Sequence, residues 1–127
     1  MAGVNTSRWA GPALSVLRVV AAIVYLQHGI QKLTGALGGH AVRDFPSWPA
    51  FGMVIECGAG ALILIGLFTR GAAFLASGEM AVAYFKYHAP NGFWPVTNHG
   101  EVPVLLCFIF LYLAAAGGGV YSVDAAR

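Results

Sequence analysis

The sequence predicts an all-α integral membrane protein, folded as a four-helix bundle with antiparallel, up-and-down topology. The first reason is composition, because the chain has 127 residues of which 58% are hydrophobic and only 9% are charged. Soluble domains average about a quarter charged residues, so this chain cannot cover itself with a water-facing surface. The second reason is that the apolar residues form four stretches long enough to cross a hydrocarbon core. We expect a single domain over residues 1–127, with spans at about 13–33, 49–68, 70–87 and 101–119.

The first span reads LSVLRVVAAIVYLQHGIQKL and carries an unusual amount of charge for a membrane helix. Arg18, Tyr25 and Lys32 are separated by heptads and therefore share one helix face. His28 lies one turn before Lys32, beside that face. Ionisable groups in such a helix are costly in lipid and face the protein interior or a wet cavity. We expect the span to be retained rather than cleaved as a signal peptide, because Arg18 interrupts its apolar run.

Each of the remaining spans contributes a carboxylate. The second begins near Pro49 and contains Glu56, and a tight turn at 66–71 joins it to the third, which contains Glu79. A loop at 88–100, rich in Pro, Gly and Asn, leads to the fourth span, which begins near Glu101. We therefore expect a polar seam inside the bundle.

Small residues in the spans predict close helix packing. Gly52, Glu56 and Gly60 share one face of the second span, and small residues at this spacing let helix backbones approach each other. Cys57 and Cys107 lie in apolar stretches and are interpreted as small buried hydrophobes. The sequence leaves open whether these two cysteines meet, and it contains no CxxC redox motif.

A candidate site follows from the depths of the polar residues. Counting about 1.5 Å per residue along each helix places His28 and Glu56 at similar heights, with Glu79 nearer the middle of the membrane. We assign a catalytic, proton-handling role to His28, Glu56 and Glu79, because histidine and carboxylates exchange protons near neutral pH. The residues expected to bind a quinone head group at the loop-side rim are Lys32, Phe93, Trp94 and Glu101.

Two alternatives use the same residues. In the structural one, Glu56 and Glu79 pair with Arg18, His28 or Lys32 and hold the helices together, because a buried carboxylate needs a partner or a proton. In the other, a histidine and two carboxylates bind a metal ion. We predict no metal site, because no helix carries the HxxxH or ExxH spacing that helical metal ligands favour.

The charged and aromatic residues outside the spans predict an orientation. Trp9, Trp48 and Trp94 all fall at span ends, as in the aromatic belt of a membrane protein. Arg8, Arg70 and Arg127 lie on the side that carries both termini. We expect the protein to lie in a bacterial-type inner membrane. The positive-inside rule favours, by a narrow margin, the orientation with both termini in the cytoplasm.

The residues resemble the DoxX family of small four-span membrane proteins over about 14–124. The matching positions are Arg18, the HGIQKL segment with Gly29 and Lys32, Glu56, the turn with Gly66, Thr69 and Arg70, the HAPNGFW segment, Glu101, and Gly117, Gly119, Ser122 and Asp124. The family includes a subunit of a thiosulfate:quinone oxidoreductase, so the resemblance implies a link to membrane redox complexes. The chain carries no motif for flavin, haem or an iron–sulfur cluster, so a partner or a quinone must supply the redox centre.

The function that we predict is a membrane subunit of a quinone-linked oxidoreductase complex, rather than a complete enzyme. Its expected contacts are the lipid bilayer, a redox partner protein and further copies of itself, and the net charge of +2 gives no reason to expect nucleic acid. The alternatives are a non-enzymatic membrane adaptor that anchors a partner, and a small-solute or proton transporter. The transporter is disfavoured because no inverted repeat is evident in the sequence.

Overall fold

The structure, a computed structural model, describes residues 7–127 and is all-helical there, with no strand among those residues. Residues 1–6, which belong to the predicted domain, lie outside the described residues. The helices are α1 Ser7–Thr34, α2 Trp48–Ile65, α3 Thr69–Ala83, α4 Pro95–Asn98, α5 Glu101–Ala116 and α6 Val123–Ala126. A π-helical turn, Tyr84–His88, and a short 3₁₀ turn, Ala89–Asn91, follow α3 directly.

The ends of α2 show why the chain turns where it does. Ser47 caps its start, because the Ser47 hydroxyl accepts a hydrogen bond from the Ala50 amide at 3.2 Å. Gly66 ends the helix in the left-handed conformation, with φ of 75°. The amides of Gly66 and Leu67 both bond to the Leu62 carbonyl, as in a Schellman ending. The α-helix therefore stops three residues before the end of the predicted span at 49–68.

The long helices pack side by side around a common core. α1 contacts α2, α2 contacts α3, and α3 contacts α5, which also contacts α1. Tyr25, Ile63, Phe110 and Leu113 are completely buried between them. The Tyr25 and Phe110 rings meet edge to face, with their centroids 4.9 Å apart, an arrangement that aromatic pairs favour.

The outer surface of these helices is apolar, whereas charged groups lie inside. Large exposed side chains are Val16, Val20 and Ile23 on α1, Phe51 and Val54 on α2, Phe74 and Leu75 on α3, and Leu105, Phe108 and Leu111 on α5. Arg18, Glu56 and Glu79 are buried. α1 and α2 are long and apolar enough to cross a membrane by length and composition, and α5 is a shorter apolar helix. An extended apolar surface of this kind is unfavourable in contact with water and favourable in contact with lipid.

Arg18 binds the C-terminal segment to the rest of the molecule. Its guanidinium group is buried and donates hydrogen bonds to the carbonyls of Gly118, Tyr121 and Leu64. Ser15, one turn earlier on α1, accepts a hydrogen bond from the Tyr121 amide at 2.9 Å. These bonds join α1, the end of α2 and the segment after α5 at one end of the molecule.

Asp124 completes this end of the molecule by capping α3. The residue before α3, Phe68, has φ of 51° and supplies no side-chain cap. The Asp124 carboxylate instead accepts hydrogen bonds from the Phe68 and Thr69 amides, both at 2.9 Å. A carboxylate at a helix N-terminus also interacts favourably with the helix dipole. The C-terminal segment thus stabilises a helix that begins 55 positions earlier in the chain.

We expect Gly66→Ala to destabilise the protein. A Cβ at residue 66 would lie 2.4 Å from the Ser122 Cβ, in a left-handed conformation that costs a non-glycine residue about 1–2 kcal/mol. The melting temperature in detergent should fall by several degrees. Gly58→Ala, in the same helix with open space around its Cβ, is the matched control and should melt at or above the wild-type temperature. Equal melting temperatures for the two variants would contradict this account.

We expect Asp124→Asn to change how stability depends on pH. The bonds from the Thr69 and Phe68 amides hold the pKa of Asp124 below its usual value. A carboxyl group of this kind stabilises the fold above its unfolded-state pKa of about 4, and that contribution is lost as pH falls through the lower folded-state pKa. Wild type should therefore lose more melting temperature between about pH 4 and pH 2 than Asp124→Asn, which should already melt lower at pH 7.

Asp44→Asn serves as the control for this comparison, because Asp44 is an exposed loop carboxylate. Between about pH 4 and pH 2 this control should lose as much melting temperature as the wild type. If Asp124→Asn and wild type lost melting temperature equally as the pH falls, the Asp124 cap would make no contribution to stability.

Candidate functional site

A polar cavity of about 320 Å³ lies where the end of α1, the start of α2 and the end of α3 meet. Residues from four helices and the π-helical turn line it, among them His28, Lys32, Trp48, Gly52, Glu56, Glu79, Tyr87, His88 and Pro103. The connections at 35–47 and 89–100 approach the same end. The cavity therefore occupies the loop side, opposite the end that Arg18 holds.

Lys32 and Glu56 form an ion pair that links α1 to α2. The Lys32 ammonium lies 2.8 Å from both carboxylate oxygens of Glu56. Glu56 is 1% exposed at its side chain, whereas the Lys32 side chain is 31% exposed. The carboxylate is thus enclosed by protein, while the flexible lysine reaches it from the loop side.

Glu79 approaches the same point from α3. Its carboxyl group accepts a 2.8 Å hydrogen bond from the buried Tyr25 hydroxyl. The Glu56 and Glu79 carboxyl groups converge beside Gly52, because a Cβ at that position would lie 3.5 Å from Glu56 Oε2 and 3.7 Å from Glu79 Oε2. Two carboxyl groups facing one ammonium carry an excess negative charge if both are ionised, which is costly where water is excluded.

Gly52 leaves the space in which these groups converge. A Cβ at this position would lie 3.3 Å from the Lys32 nitrogen, 3.5 Å from Glu56 Oε2 and 3.7 Å from Glu79 Oε2. A methyl group here would crowd the Lys32 nitrogen and touch both carboxyl groups, and a larger side chain would fill the space between them. The glycine keeps the polar end of the cavity open.

Two histidines line the cavity beside the ion pair. His88 Nδ1 lies 3.0 Å from the Asn98 carbonyl, which can only accept, so Nδ1 carries the hydrogen. The other nitrogen of a neutral His88 is then an acceptor. Among the described residues, no hydrogen-bond partner is found for the His28 imidazole, which remains able to bind a ligand or exchange a proton.

The structure brings four of the predicted site residues together and separates the other three. His28, Lys32, Glu56 and Glu79 all line the polar cavity. Phe93 and Trp94 instead line a neighbouring apolar groove, and Glu101 is exposed at the first turn of α5. The loop folds back because Asn98 donates to the Gly92 carbonyl at 2.6 Å and to the Tyr84 hydroxyl at 3.1 Å.

Several cavity residues were not among the predicted site residues. Tyr25, which donates to Glu79 but does not line the cavity, was not among them either, although its place on the heptad face of Arg18 and Lys32 indicated it. Gly52 was interpreted only as a packing residue. Trp48, Tyr87 and His88 lie at helix ends, where no periodicity indicates which way a side chain points.

The structure also shows where the cysteines and the second polar end lie. Cys57 packs beside Gly29 of α1, and Cys107 lies 3.5 Å from the Ser77 hydroxyl of α3. Both cysteines are free thiols.

No cluster of three potential metal ligands occurs among residues 7–127. A wider depression of about 670 Å³ surrounds the start of α3, but its carboxylate, Asp124, is already used as a cap.

A helical chain with an apolar exterior and charged groups buried in its core has the construction of a helical membrane protein. The chain belongs to the DoxX family, whose model matches residues 13–89. This range contains His28, Lys32, Glu56 and Glu79.

Two relatives support the assignment. A Haemophilus influenzae protein described as uncharacterized is 36% identical over 127 residues, covering 94% of each chain. The inner membrane protein YqjF of Escherichia coli is 29% identical over 121 residues, covering 86% of this chain and 87% of that protein. No solved structure shows significant similarity to the chain.

We expect removal of the Lys32 charge to destabilise the protein more than removal of the Glu56 charge. Lys32→Met leaves the enclosed Glu56 without its counter-charge, and breaking a buried pair in this way costs about 3–5 kcal/mol. Glu56→Gln should cost less, because the partly exposed lysine can turn toward water. Unfolding in a denaturing detergent, followed by circular dichroism, measures both.

The double variant Lys32→Met/Glu56→Gln completes the cycle and should recover much of the loss in Lys32→Met. Equal losses in the two single variants, or strict additivity in the double variant, would contradict the asymmetry.

Proposed function

We propose that the protein is the membrane subunit of a quinone-linked oxidoreductase complex in a bacterial inner membrane, and that the polar cavity binds the quinone head group. The observation that carries this proposal is the convergence of one ammonium and two carboxyl groups in a cavity of about 320 Å³ with aromatic walls. Small-molecule sites commonly have volumes of about 300–1,000 Å³ and combine apolar walls with a few polar groups.

The residues of the cavity fit a quinone ring. Its two carbonyl oxygens need hydrogen-bond donors, and Lys32 supplies an ammonium for one of them. The carboxyl groups of Glu56 and Glu79 stand beside the other, and either of them donates a hydrogen bond when it carries a proton. Trp48 and Tyr87 contribute flat rings to the walls, and Gly52 leaves free the volume beside the charged groups.

The same residues can handle protons. A bound quinone supplies two-electron acceptor chemistry that also consumes two protons. Glu79, held by the Tyr25 hydroxyl, keeps a carboxyl group at the inner end of the cavity. His28 and His88 lie in its wall and provide imidazole nitrogens that can hold or pass on a proton. Under this proposal they pass protons between the loop side and the enclosed carboxyl groups of Glu56 and Glu79.

The electrons come from another protein under this proposal. The sequence carries no motif for flavin, haem or an iron–sulfur cluster, so a partner with its own redox centre must approach the loop side. The chain then serves as the membrane site at which that partner meets its lipid-soluble acceptor.

We further propose that α1, α2, α3 with its π-helical turn, and α5 cross the membrane as an up-and-down bundle. The unit from Thr69 to His88 has 20 positions and a length of about 30 Å at helical rise. Arg70 and Arg127 lie with Arg18 at the end opposite the polar cavity. The positive-inside rule then favours termini in the cytoplasm and a cavity that opens away from it.

The test is quinone binding by the purified protein. We expect the tailless ubiquinone ring to bind the wild type in mild detergent, measured by isothermal titration calorimetry, and to quench Trp48 fluorescence. Gly52→Val should weaken that affinity at least tenfold, because its methyl groups occupy the polar end of the cavity. The protein extracted from its native membrane should also carry quinone and a redox partner, both detectable by mass spectrometry.

Gly58→Val is the matched control, since it makes the same change in α2 where there is open space. It should bind like the wild type, and circular dichroism should show both variants folded. A wild-type protein that neither carries nor binds quinone would refute the proposal and favour an adaptor or a transporter. Equal affinities in the two valine variants would place any binding outside the cavity.

A further inference from the structure

The apolar groove that holds Phe93 and Trp94 lies directly beside the polar cavity. Its volume is about 320 Å³, and its lining exposes no polar surface. Ala81 of α3, Phe85 of the π-helical turn and Val104 of α5 form its walls together with Phe93 and Trp94. The groove therefore offers an apolar environment.

Met80 and Pro103 line both the polar cavity and the apolar groove. The two spaces therefore adjoin each other at these two residues. Met80 is unbranched and flexible, so it can adapt to a chain that passes from one space to the other. Pro103, whose ring is rigid, also borders both spaces.

The mouth of the groove faces the outside of the helices. Phe85, Phe93 and Trp94 are 66%, 65% and 68% exposed, although each has a large apolar ring. The Phe93 and Trp94 rings meet edge to face with centroids 5.3 Å apart. In a membrane these rings border the lipid, and a lipid-soluble molecule can enter sideways between them.

We propose that the apolar groove binds the hydrocarbon tail of the molecule whose polar head occupies the polar cavity. This inference rests on the proposed function and adds a second subsite to it, selective for a quinone with a long tail. We choose the tail of the same molecule as the occupant because the groove and the polar cavity adjoin each other at Met80 and Pro103. An independent lipid chain in the groove, or a tail that stays in the bilayer, is the competing outcome.

The experiment compares the tailless ubiquinone ring with decylubiquinone in wild type and in variants that fill the groove. Val104→Phe and Ala81→Leu enlarge two walls from different helices. Each should weaken decylubiquinone binding about tenfold, since loss of about two buried methylenes already has this effect. Binding of the tailless ring should stay within about twofold of the wild type. Partitioning of the tail into detergent is the same for every variant, so it cancels in the comparison.

Val102→Phe, two residues from Val104 on the same helix and outside both spaces, is the matched control and should bind both ligands like wild type. Wild-type decylubiquinone affinity in both groove variants would overturn the tail subsite while leaving the head site intact. So would an equal loss for the two ligands, because the groove would then not be a separate subsite. Failure of the tailless ring to bind wild type would instead refute the proposed function.

Discussion

Charged groups enclosed by apolar surroundings must be compensated within the protein, and this constraint organises the whole molecule. The outer faces of the helices carry Val, Leu, Ile and Phe, so they offer no partner to a charge. Arg18 and Lys32 lie on the same face of α1, four turns apart, and both point inward. Each gathers a different set of partners, and those two sets define the two ends of the structure.

The two ends are compensated by different chemistry. Arg18 donates to backbone carbonyls, which do not titrate and whose positions depend on the fold of the C-terminal segment. Lys32 faces side-chain carboxyls, which can gain or lose a proton and stand beside a cavity. The first arrangement suits a permanent tie, and the second suits a site whose charge can change when a ligand binds. The tie at Arg18 and the candidate site at Lys32 thus use the same helix face at opposite ends.

The sequence predicted the inner part of the candidate site better than its rim. Heptad spacing on α1 and single carboxylates in the other helices were enough to indicate that Lys32, Glu56 and Glu79 face inward. Helix periodicity could not place Phe93 or Trp94, because hydrogen bonds of Asn98 within an irregular loop decide their position. The cap that Asp124 provides for α3 was equally hidden, since it depends on a contact between distant segments. Local patterns predict which way a helix faces, but not how a loop returns.

Gly52, Glu56 and Gly60 show how one pattern can serve two purposes. All three lie on one face of α2, and their spacing alone predicts close helix packing. Gly60 meets that expectation, because a Cβ there would lie 2.8 Å from the Leu26 side chain of α1. Gly52 lies two turns away on the same face, yet its missing side chain makes room for an ammonium and two carboxyl groups. α2 therefore packs closely against α1 at Gly60 and leaves space for the cavity at Gly52. Glu56, which lies between the two glycines, supplies the negative charge that pairs with Lys32.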